Sequence, residues 1–414
     1  MRRVVITGLG ALTPIGNTVQ EYLRGLQEGV SGANRITHFD PEKFKTQFAC
    51  ELKNFDPKEH VNPREVRRQD LFSIYALVAA EEAWQMAGLA PEQLDLARAG
   101  VIWASGIGGL RSIEEEIENN CGADTPRYNP FMIPKMIGNM GAGYISMQYG
   151  LRGPSYSTVS ACASTGHALG AAADDIRLGR SDLMIVGGSE AAVTRVGIGG
   201  FSAMKALSSR NDDFATASRP YDAERDGFVL GEGAGALILE DLEHAKKRGA
   251  TIYAELAGYA ASSDAYHITA PHPEGLGASA VMHNALAYSG LNAEEVDYIN
   301  THGTSTPLGD IAELKAIQQV FGDHLYELNV SSTKSMTGHL LGAAGAIEAV
   351  ACILAIQHSF IPPTINHFND DPEIDSRINL TFNEAQERDV KIALNNTFGF
   401  GGHNSAAIFK RFED

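Results

Sequence analysis

The chain has 414 residues, of which 44% are hydrophobic and 20% are charged, a composition typical of folded globular proteins. Its formal net charge of −18 disfavours nucleic acid or an anionic membrane surface as the main partner, and we expect no membrane insertion. The four cysteines lack the Cys-x-x-Cys spacing of redox and zinc-ribbon sites. Motifs for phosphate loops, zinc proteases and serine hydrolases are also missing from the sequence.

Short β-branched runs alternate with alanine- and leucine-rich helical patterns, which predicts α/β layers. The first run, residues 4–7, breaks at Gly8, so we interpret it as a buried strand rather than a signal peptide and expect a cytoplasmic protein. Gly8-Leu9-Gly10 lacks the third glycine of a dinucleotide fingerprint. A helix is predicted at residues 71–86, followed by strands at 99–104, 182–186 and 231–239. The segment 106–154 is irregular and is predicted to cover a pocket or form a subunit contact.

The chain is predicted to divide into two halves, residues 1–250 and 251–414. The charged stretch 240–248 is the best candidate for the join, because a second series of apolar runs begins at Ile252. Since no proline- or serine-rich linker separates the halves, we expect them to pack as one body.

An internal repeat supports this division. Thr165-Gly166-His167-Ala168-Leu169-Gly170-Ala171-Ala172 matches the sequence from Thr337 to Ala344 at seven of eight positions, with an offset of 172 residues. Each copy follows a strand-like stretch, residues 155–161 and 328–332, so each is predicted to form a strand, a tight turn and a buried helix. The same offset aligns Cys162 with Lys334. An alternative is two unrelated glycine- and alanine-rich helices.

Cys162 is predicted to lie where a strand ends and a helix begins, a position where the helix dipole favours a thiolate. His302 follows an apolar strand in a polar, glycine-rich loop, and His339 follows Lys334 in the second copy. Two neutral imidazoles can donate hydrogen bonds to one developing oxyanion, whereas one imidazole beside a thiol suggests hydrolysis or simple acyl transfer. For each histidine alone, and for Cys162, a structural role is the alternative.

Three further features have two interpretations each. Lys334, Glu313 and Glu348 place charges inside small-residue or apolar stretches, where a buried charge needs a partner or a function. The sequence from Gly399 to Asn404, Gly-Phe-Gly-Gly-His-Asn, is either a mobile loop that contacts a ligand or a plain hairpin turn. A basic patch of Arg64, Arg67 and Arg68 could bind an acidic partner or simply begin a solvated helix.

These motifs occur in a recognisable order: Ala-Cys-Ala-Ser around Cys162, Thr-His-Gly-Thr-Ser-Thr from Thr301, Ser-Thr-Lys-Ser-Met-Thr-Gly-His ending at His339, and Gly-Phe-Gly-Gly from Gly399. In this the whole chain resembles the β-ketoacyl-[acyl-carrier-protein] synthases, most closely the elongating synthase II of bacterial fatty-acid synthesis. The resemblance implies a thiolase fold, with duplicated halves in five α-β-α-β-α layers, and a homodimer.

The resemblance also implies an activity. Cys162 would accept an acyl chain from acyl carrier protein, and His302 and His339 would stabilise the enolate formed when malonyl-carrier protein loses carbon dioxide. The product would be a 3-oxoacyl chain longer by two carbons. No redox or nucleotide cofactor would be required, because the substrates are carried on the phosphopantetheine of acyl carrier protein.

Further site residues are implied by position in the matching motifs. Lys334 and Glu313 would organise the histidines, and the N–H groups of Cys162 and Phe400 would form an oxyanion hole that the Phe400 ring gates. The implied substrate-binding residues are Ile107, Phe201, Thr304, Thr306 and Phe131. The implied carrier-docking residues are Arg64, Arg67, Arg68 and Lys205. A structural cation is implied near Asn300, Glu313, Glu348, Asn395 and Asn396.

Two positions depart from the family pattern: Asn395 replaces a common serine, and His403 replaces a common threonine. Three alternative functions remain at this level. A polyketide ketosynthase shares every catalytic residue. A non-catalytic chain-length subunit lacks the nucleophile that Cys162 supplies here. A cysteine hydrolase needs a Cys-His pair but has no use for a second histidine.

Overall fold

The computed structural model describes residues 1–413. The strands are β1 (Val4–Leu12), β2 (Asn34–Arg35), β3 (Phe48–Ala49), β4 (Ala99–Ala104), β5 (Ser155–Thr158), β6 (Leu183–Glu190), β7 (Gly233–Asp241), β8 (Ala254–Ser263), β9 (Tyr298–Asn300), β10 (Asn329–Ser331), β11 (Phe360–Ile361), β12 (Gln386–Glu387), β13 (Ile392–Gly399) and β14 (His403–Lys410). The α-helices are α1 (Val19–Glu28), α2 (Pro57–His60), α3 (Pro63–Val66), α4 (Leu71–Met86), α5 (Leu110–Asn120), α6 (Met132–Met136), α7 (Met140–Tyr149), α8 (Ser164–Arg177), α9 (Arg195–Ala203), α10 (Leu242–Lys247), α11 (Leu276–Ser289), α12 (Pro307–Phe321), α13 (Lys334–Thr337) and α14 (Ala344–His358). Short 3-10 helices occupy Pro91–Gln93, Asn211–Thr216, Ala293–Glu295, Gly322–Tyr326 and Leu341–Ala343.

The same strand order occurs twice. In the first set the order is β1-β7-β6-β4-β5, and in the second it is β8-β14-β13-β9-β10. In both sets the first two pairings are antiparallel and the last two are parallel. The predicted duplication of the fold is therefore confirmed, because one order of this complexity is repeated with the same strand directions.

The two sets form one ten-stranded sheet joined by a short pairing of β1 with β8. This junction has only two residue pairs, Val5 with Glu255 and Ile6 with Ala254. Helices α8 and α14 pack against strands of both sets. Helix α4 packs on the other face of the first set, and α11 and α12 pack on the other face of the second. Each strand set therefore forms one sheet layer, with α8 and α14 between the two layers and the other helices outside them. The order is helix, sheet, helix, sheet, helix, which confirms the five layers.

The two copies of the repeat fold differently, contrary to the prediction of a buried helix in each. The first copy lies inside α8. In the second copy, α13 ends at Thr337 and is followed by Gly338, whose positive φ of 67° glycine tolerates, and α14 begins only at Ala344. The break gives the second copy an irregular segment, which carries His339.

The segment 106–154 is mostly helical, contrary to the expectation of irregular structure. It contains α5, α6 and α7, and Gly141 of α7 packs so closely that a Cβ there would lie 2.7 Å from the Trp103 ring. The weak sequence pattern follows from composition, because α5 is acidic and its three buried residues, Ser112, Glu114 and Asn120, are all polar.

Gly8 and Gly10 serve close packing rather than nucleotide binding. A Cβ on these residues would lie 2.2 Å from the Ala83 carbonyl oxygen and 1.9 Å from that of Ala79, so helix α4 lies directly on β1. One stretch, Leu341–His358, is long and apolar enough by composition to cross a membrane. It is 89% buried within the fold, as expected of a core helix.

Candidate active site

A cavity of about 590 Å³ receives side chains from both strand sets. Cys162 reaches it from the first set, and His302 and His339 reach it from the second. A ring nitrogen of each histidine and the Cys162 Sγ all lie within 4.8 Å of one another. The structure therefore brings together the three residues that the sequence singled out. The predicted residues that line this cavity are Ile107, Cys162, Phe201, Lys205, His302, Thr304, Thr306, Glu313, His339 and Phe400.

Cys162 lies on a strained turn between β5 and α8. Ala161 has a positive φ of 52°, and the Ser164 hydroxyl fixes the turn by accepting from the Ser160 N–H (2.8 Å) and donating to the Ala161 carbonyl (2.6 Å). Gly399 approaches so closely that a Cβ there would lie 3.0 Å from the Cys162 nitrogen. This contact brings the backbone N–H of Phe400 to the Cys162 sulfur, to which it donates a hydrogen bond.

The resting state of Cys162 differs from the expected thiolate. Burial raises the pKa of the thiol to about 12, and the Lys334 charge and the Phe400 N–H only partly oppose that rise. The side chain is 7% exposed. Cys162 also precedes the first residue of α8 by two positions, so the helix end does not outweigh desolvation.

The two histidines make different contacts with the thiol. His339 Nε2 lies 2.9 Å from Cys162 Sγ, and the rings of His339 and His302 meet edge to face with centroids 5.2 Å apart. The His339 backbone is fixed on both sides, since its N–H donates to the Val229 carbonyl (2.8 Å) and its carbonyl accepts from the Gly231 N–H (2.9 Å). His339 therefore has the direct contact with sulfur.

Both imidazoles are neutral in this environment. Burial lowers the pKa of His302 and of His339 well below the ordinary value, and the nearby Lys334 charge lowers both further. A neutral imidazole keeps one N–H, so each ring can donate one hydrogen bond into the cavity. The arrangement supplies two neutral donors and one thiol.

Glu313 and Lys334 act on the histidines without contacting their rings, Glu313 through the backbone and Lys334 through its charge. The Glu313 carboxylate accepts the backbone N–H groups of His302 and Gly303, each at 2.8 Å. Burial raises the pKa of Glu313 to about 7, against these hydrogen bonds. Lys334 does not line the cavity; it is buried in an ion pair with Glu348 and acts on the rings through its charge.

The five residues implied for a cation lie on two faces of β13. Asn395 donates to the Gly345 carbonyl (3.2 Å) next to α14, and it pairs with Asn300 in the neighbouring strand. Asn396 points to the opposite face, where it donates to Glu313 (3.2 Å). The oxygens Asn300 Oδ1, Asn395 Oδ1 and Glu348 Oε2, and also Asn396 Oδ1 on the opposite face, are buried without a hydrogen-bond partner. Three unpaired hard oxygen donors on the α14 face fit a cation there.

Phe131 and the three predicted docking arginines lie elsewhere. They line a separate groove of about 570 Å³ together with Arg127. The Arg68 guanidinium lies over the Phe131 ring, 5.0 Å from its centroid. Within its own chain, Phe131 therefore does not line the cavity that holds Cys162, unlike the other four predicted substrate-binding residues.

Sequence reasoning missed three residues around the site. The Phe398 ring lies 5.8 Å from that of His302, and the Phe228 ring lies 5.3 Å from that of His339. Glu190 is completely buried at the end of β6 beside the cavity. The predicted strand stopped too early, at residue 186, and the signal for Glu190 was a single acidic residue after the small residues Gly187, Gly188 and Ser189, which continue β6.

Comparisons with known proteins agree with this geometry. The family model "Beta-ketoacyl synthase, N-terminal domain" matches residues 1–245, and "Beta-ketoacyl synthase, C-terminal domain" matches residues 253–368. Curated relatives called "3-oxoacyl-[acyl-carrier-protein] synthase 2" occur in Synechocystis sp. and Coxiella burnetii. They are 49% and 48% identical, and each alignment covers 100% of this chain and 99% of the relative.

Solved structures give the same result at lower identity. A beta-ketoacyl synthase from Burkholderia phymatum STM815 is 35% identical, with a TM-score of 0.91 and full coverage of both chains. A type II PKS ketosynthase in complex with its acyl-carrier protein, AntDE:AntF, is also 35% identical, with a TM-score of 0.92 and full coverage of both chains. The resemblance inferred from the motifs is thereby confirmed, and the chain belongs to the beta-ketoacyl synthase family.

Proposed function

We propose that this chain is an elongating 3-oxoacyl-[acyl-carrier-protein] synthase, which condenses an acyl chain held on Cys162 with malonyl-acyl-carrier-protein. The observation that carries the proposal is the convergence of one thiol and two neutral imidazoles in a single cavity. A hydrolase needs only one such histidine. The relatives that bear this name are 48–49% identical over the full chain, whereas the polyketide ketosynthase structure is 35% identical.

The first half-reaction transfers the acyl group to Cys162. Because the thiol is protonated at rest, attack on the carrier thioester must remove its proton as the new C–S bond forms. His339 Nε2, 2.9 Å from Sγ, accepts this proton and returns it to the departing pantetheine sulfur. The N–H groups of Cys162 and Phe400 stabilise the oxyanion of the tetrahedral intermediate.

The second half-reaction begins when malonyl-carrier protein occupies the cavity. Its carboxylate leaves as carbon dioxide, and the electron pair of the broken C–C bond moves onto the thioester to form an enolate. For this step His339 carries its single proton on Nε2, the tautomer opposite to the one that accepts the thiol proton, and the neutral rings of His302 and His339 then each donate a hydrogen bond to that oxygen. The enolate carbon then attacks the acyl-Cys162 carbonyl, the C–S bond breaks with its electron pair on sulfur, and the Cys162 thiolate takes up one proton from solvent. The product is a 3-oxoacyl chain on the carrier protein.

Four residues would bind the substrate within the cavity. Ile107, 37% exposed, and Phe201 would contact the acyl chain. Thr304 and Thr306, whose hydroxyl oxygens are 3.0 Å apart, would bind the phosphopantetheine arm. No redox or nucleotide cofactor takes part in these steps.

A homodimer would complete the pocket. Strand β5 is an open edge of the sheet, with Tyr156 43% exposed, and Val159, which directly follows the strand, is 67% exposed. An exposed edge strand favours pairing with another strand, and a second copy of this chain offers the same edge. Phe131 lies outside its own cavity, so it would contact an acyl chain only in the partner's site.

The acidic carrier protein would dock on local positive charge. Arg64, Arg67 and Arg68 share one groove, and Lys205 is exposed at the cavity. Residues 1–250 would form the half that carries the nucleophile, and residues 251–414 the half that carries both histidines. A structural cation would be held by Asn300, Asn395 and Glu348. We expect the protein to act in the cytoplasm.

The test is a reconstituted reaction with acyl- and malonyl-carrier protein, read by intact mass of the carrier. One added ketide unit per acyl chain supports the proposal. Release of free fatty acid would indicate a hydrolase. Products with several unreduced ketide units would indicate a polyketide ketosynthase.

A further inference from the structure

Glu190 is a buried acidic residue that the proposed reaction does not use. It ends β6, is 0% exposed and forms hydrogen bonds with two separate segments of the chain. Its Oε1 accepts from the Ser105 hydroxyl (3.1 Å) and the Ile107 N–H (3.2 Å). Its Oε2 accepts from the N–H groups of Gly106 (2.8 Å) and Gly342 (3.0 Å). Four donors therefore converge on one carboxylate.

The two segments are both parts of the active site. Residues 105–108 form the turn that carries Ile107 into the cavity, and residues 341–343 directly follow Leu340, the neighbour of His339. Two glycines permit the close approach: a Cβ on Gly342 would lie 2.3 Å from the Gly106 nitrogen, and one on Gly106 would lie 2.9 Å from Glu190 Oε2. The carboxylate thus joins the Ile107 turn to the backbone beside His339.

We propose that Glu190 is a specificity-determining positioning residue, which restrains the Ile107 turn and thereby sets how readily the pocket admits long acyl chains. The inference rests on the proposed function, in which Ile107 contacts the acyl chain. A short chain leaves the turn in place. A long chain must displace Ile107, and displacement strains the hydrogen bonds of the Gly106 and Ile107 N–H groups to Glu190. The cost of admitting a long chain therefore includes these bonds.

Substitution of Glu190 by Gln tests this directly. Glutamine has nearly the same size, but its NH₂ group replaces one acceptor oxygen and faces N–H donors. The turn therefore loses one backbone hydrogen bond, either that of Ile107 to Oε1 or that of Gly106 to Oε2. We expect the ratio of Cys162 acylation rates for a chain of about sixteen carbons and one of about six carbons to rise about five-fold, the factor expected for one hydrogen bond. Acylation is measured by intact mass of the enzyme.

The ratio separates positioning from two other effects. The Glu190 charge also raises the pKa of Cys162, so E190Q changes the reactivity of the thiol. That change multiplies the acylation rate by the same factor for every chain length and cancels in the ratio. A purely structural role would slow both chain lengths by one factor. Glu240→Gln is the matched control, because Glu240 is also a fully buried, hydrogen-bonded carboxylate, in the neighbouring strand β7, far from the Ile107 turn. It should lower the thermal midpoint and leave the ratio unchanged.

The wild-type enzyme provides a second test that needs no folded variant. Burial raises the pKa of Glu190 to about 7, against its hydrogen bonds, so the carboxyl gains a proton as the pH falls through that value. The segments 105–108, 160–163 and 341–343 around it contribute one other titratable group, Cys162, whose effect cancels in the ratio. Strand β7 pairs with Glu190 at Gly233, next to Glu232, which is bonded to His38; this pair is retained in E190Q, so the variant separates its titration from that of Glu190. The Lys334–Glu348 pair and the two neutral histidines lie beyond these segments.

As the pH is lowered from about 8 to about 6, the ratio of long-chain to short-chain acylation rates should therefore rise in the wild-type enzyme. In E190Q the same ratio should not change with pH. A ratio unaffected by both E190Q and pH would overturn the proposal while the condensation activity remained intact. Failure of the wild-type enzyme to accept any acyl chain would instead refute the proposed function.

Discussion

The different contacts of His302 and His339 predict that their substitution affects the two half-reactions unequally. His339 Nε2 contacts the thiol at 2.9 Å, whereas the contacts of the His302 ring are with His339 and Phe398. We expect His302→Ala to leave acylation of Cys162 within a few-fold of wild type. We expect the same variant to slow the release of carbon dioxide from malonyl-carrier protein.

The magnitude follows from the loss of one oxyanion donor. Such a donor contributes ~2.7 to 4 kcal/mol in a water-excluded site, so decarboxylation should slow about a hundred-fold to a thousand-fold. His339→Ala should slow decarboxylation by a similar factor. It should also slow acylation by about a hundred-fold or more, since it removes the group that accepts the thiol proton.

Two measurements on each variant check this division. Acylation is measured by intact mass with acyl-carrier protein alone, and decarboxylation by carbon dioxide release from malonyl-carrier protein. The control is His283→Ala, because His283 is an exposed residue of α11. If His302→Ala slowed acylation and decarboxylation by the same factor, with an unchanged thermal midpoint, the assignment of His302 to decarboxylation alone would be refuted.

Three other predictions concern the pocket, the carrier and stability. Ile107→Phe should slow acylation of Cys162 by chains of about sixteen carbons, because forcing them past a larger ring costs ~1 to 3 kcal/mol. Acylation by chains of about six carbons should be unchanged, and equal slowing at both lengths would mean that Ile107 only supports the fold. Reversing Arg64 and Arg67 to Glu should raise KM for carrier-bound substrates and reduce its salt dependence, with small thioesters unchanged; unchanged carrier kinetics at low salt would contradict docking there. The pKa of His339 is lower in the folded protein than in the unfolded chain, so below about pH 6.5 only the unfolded chain takes up a proton at this residue. The free energy of unfolding should therefore fall as the pH drops below that value, by up to ~1.4 kcal/mol per pH unit. Denaturant titrations at several pH values should show a shallower dependence for His339→Asn.

The repeat and the motifs were sufficient to predict the duplicated fold and the Cys162, His302 and His339 site. The helix Leu71–Met86 and the strand Ala99–Ala104 were predicted with the observed bounds, since their apolar patterns end at clear breaks. The second copy was harder, because the sequence after Lys334 matches a helix in composition. In the structure α13 ends at Thr337, where Gly338 follows with a positive φ.

Properties that depend on three-dimensional surroundings could not be read from the sequence. The helix-start argument predicted a lowered pKa for Cys162, but it contained no measure of burial, which dominates. Phe131 matched a pocket position by motif, yet it lies in another groove of its own chain. Side chains alternate along β13, so Asn395 and Asn396 lie on opposite faces. Which neighbours each of them contacts could be learned only from the packing of the two faces.

The buried, protonated thiol also bears on how the enzyme withstands oxidative stress. Peroxides and alkylating agents react with exposed thiolates, and at rest Cys162 is neither exposed nor ionised. Cys121, by contrast, is an exposed free cysteine and is the natural first target of such reagents. A reagent that consumes exposed thiols should therefore modify Cys121 before Cys162, a difference that mass mapping of the two cysteines would show.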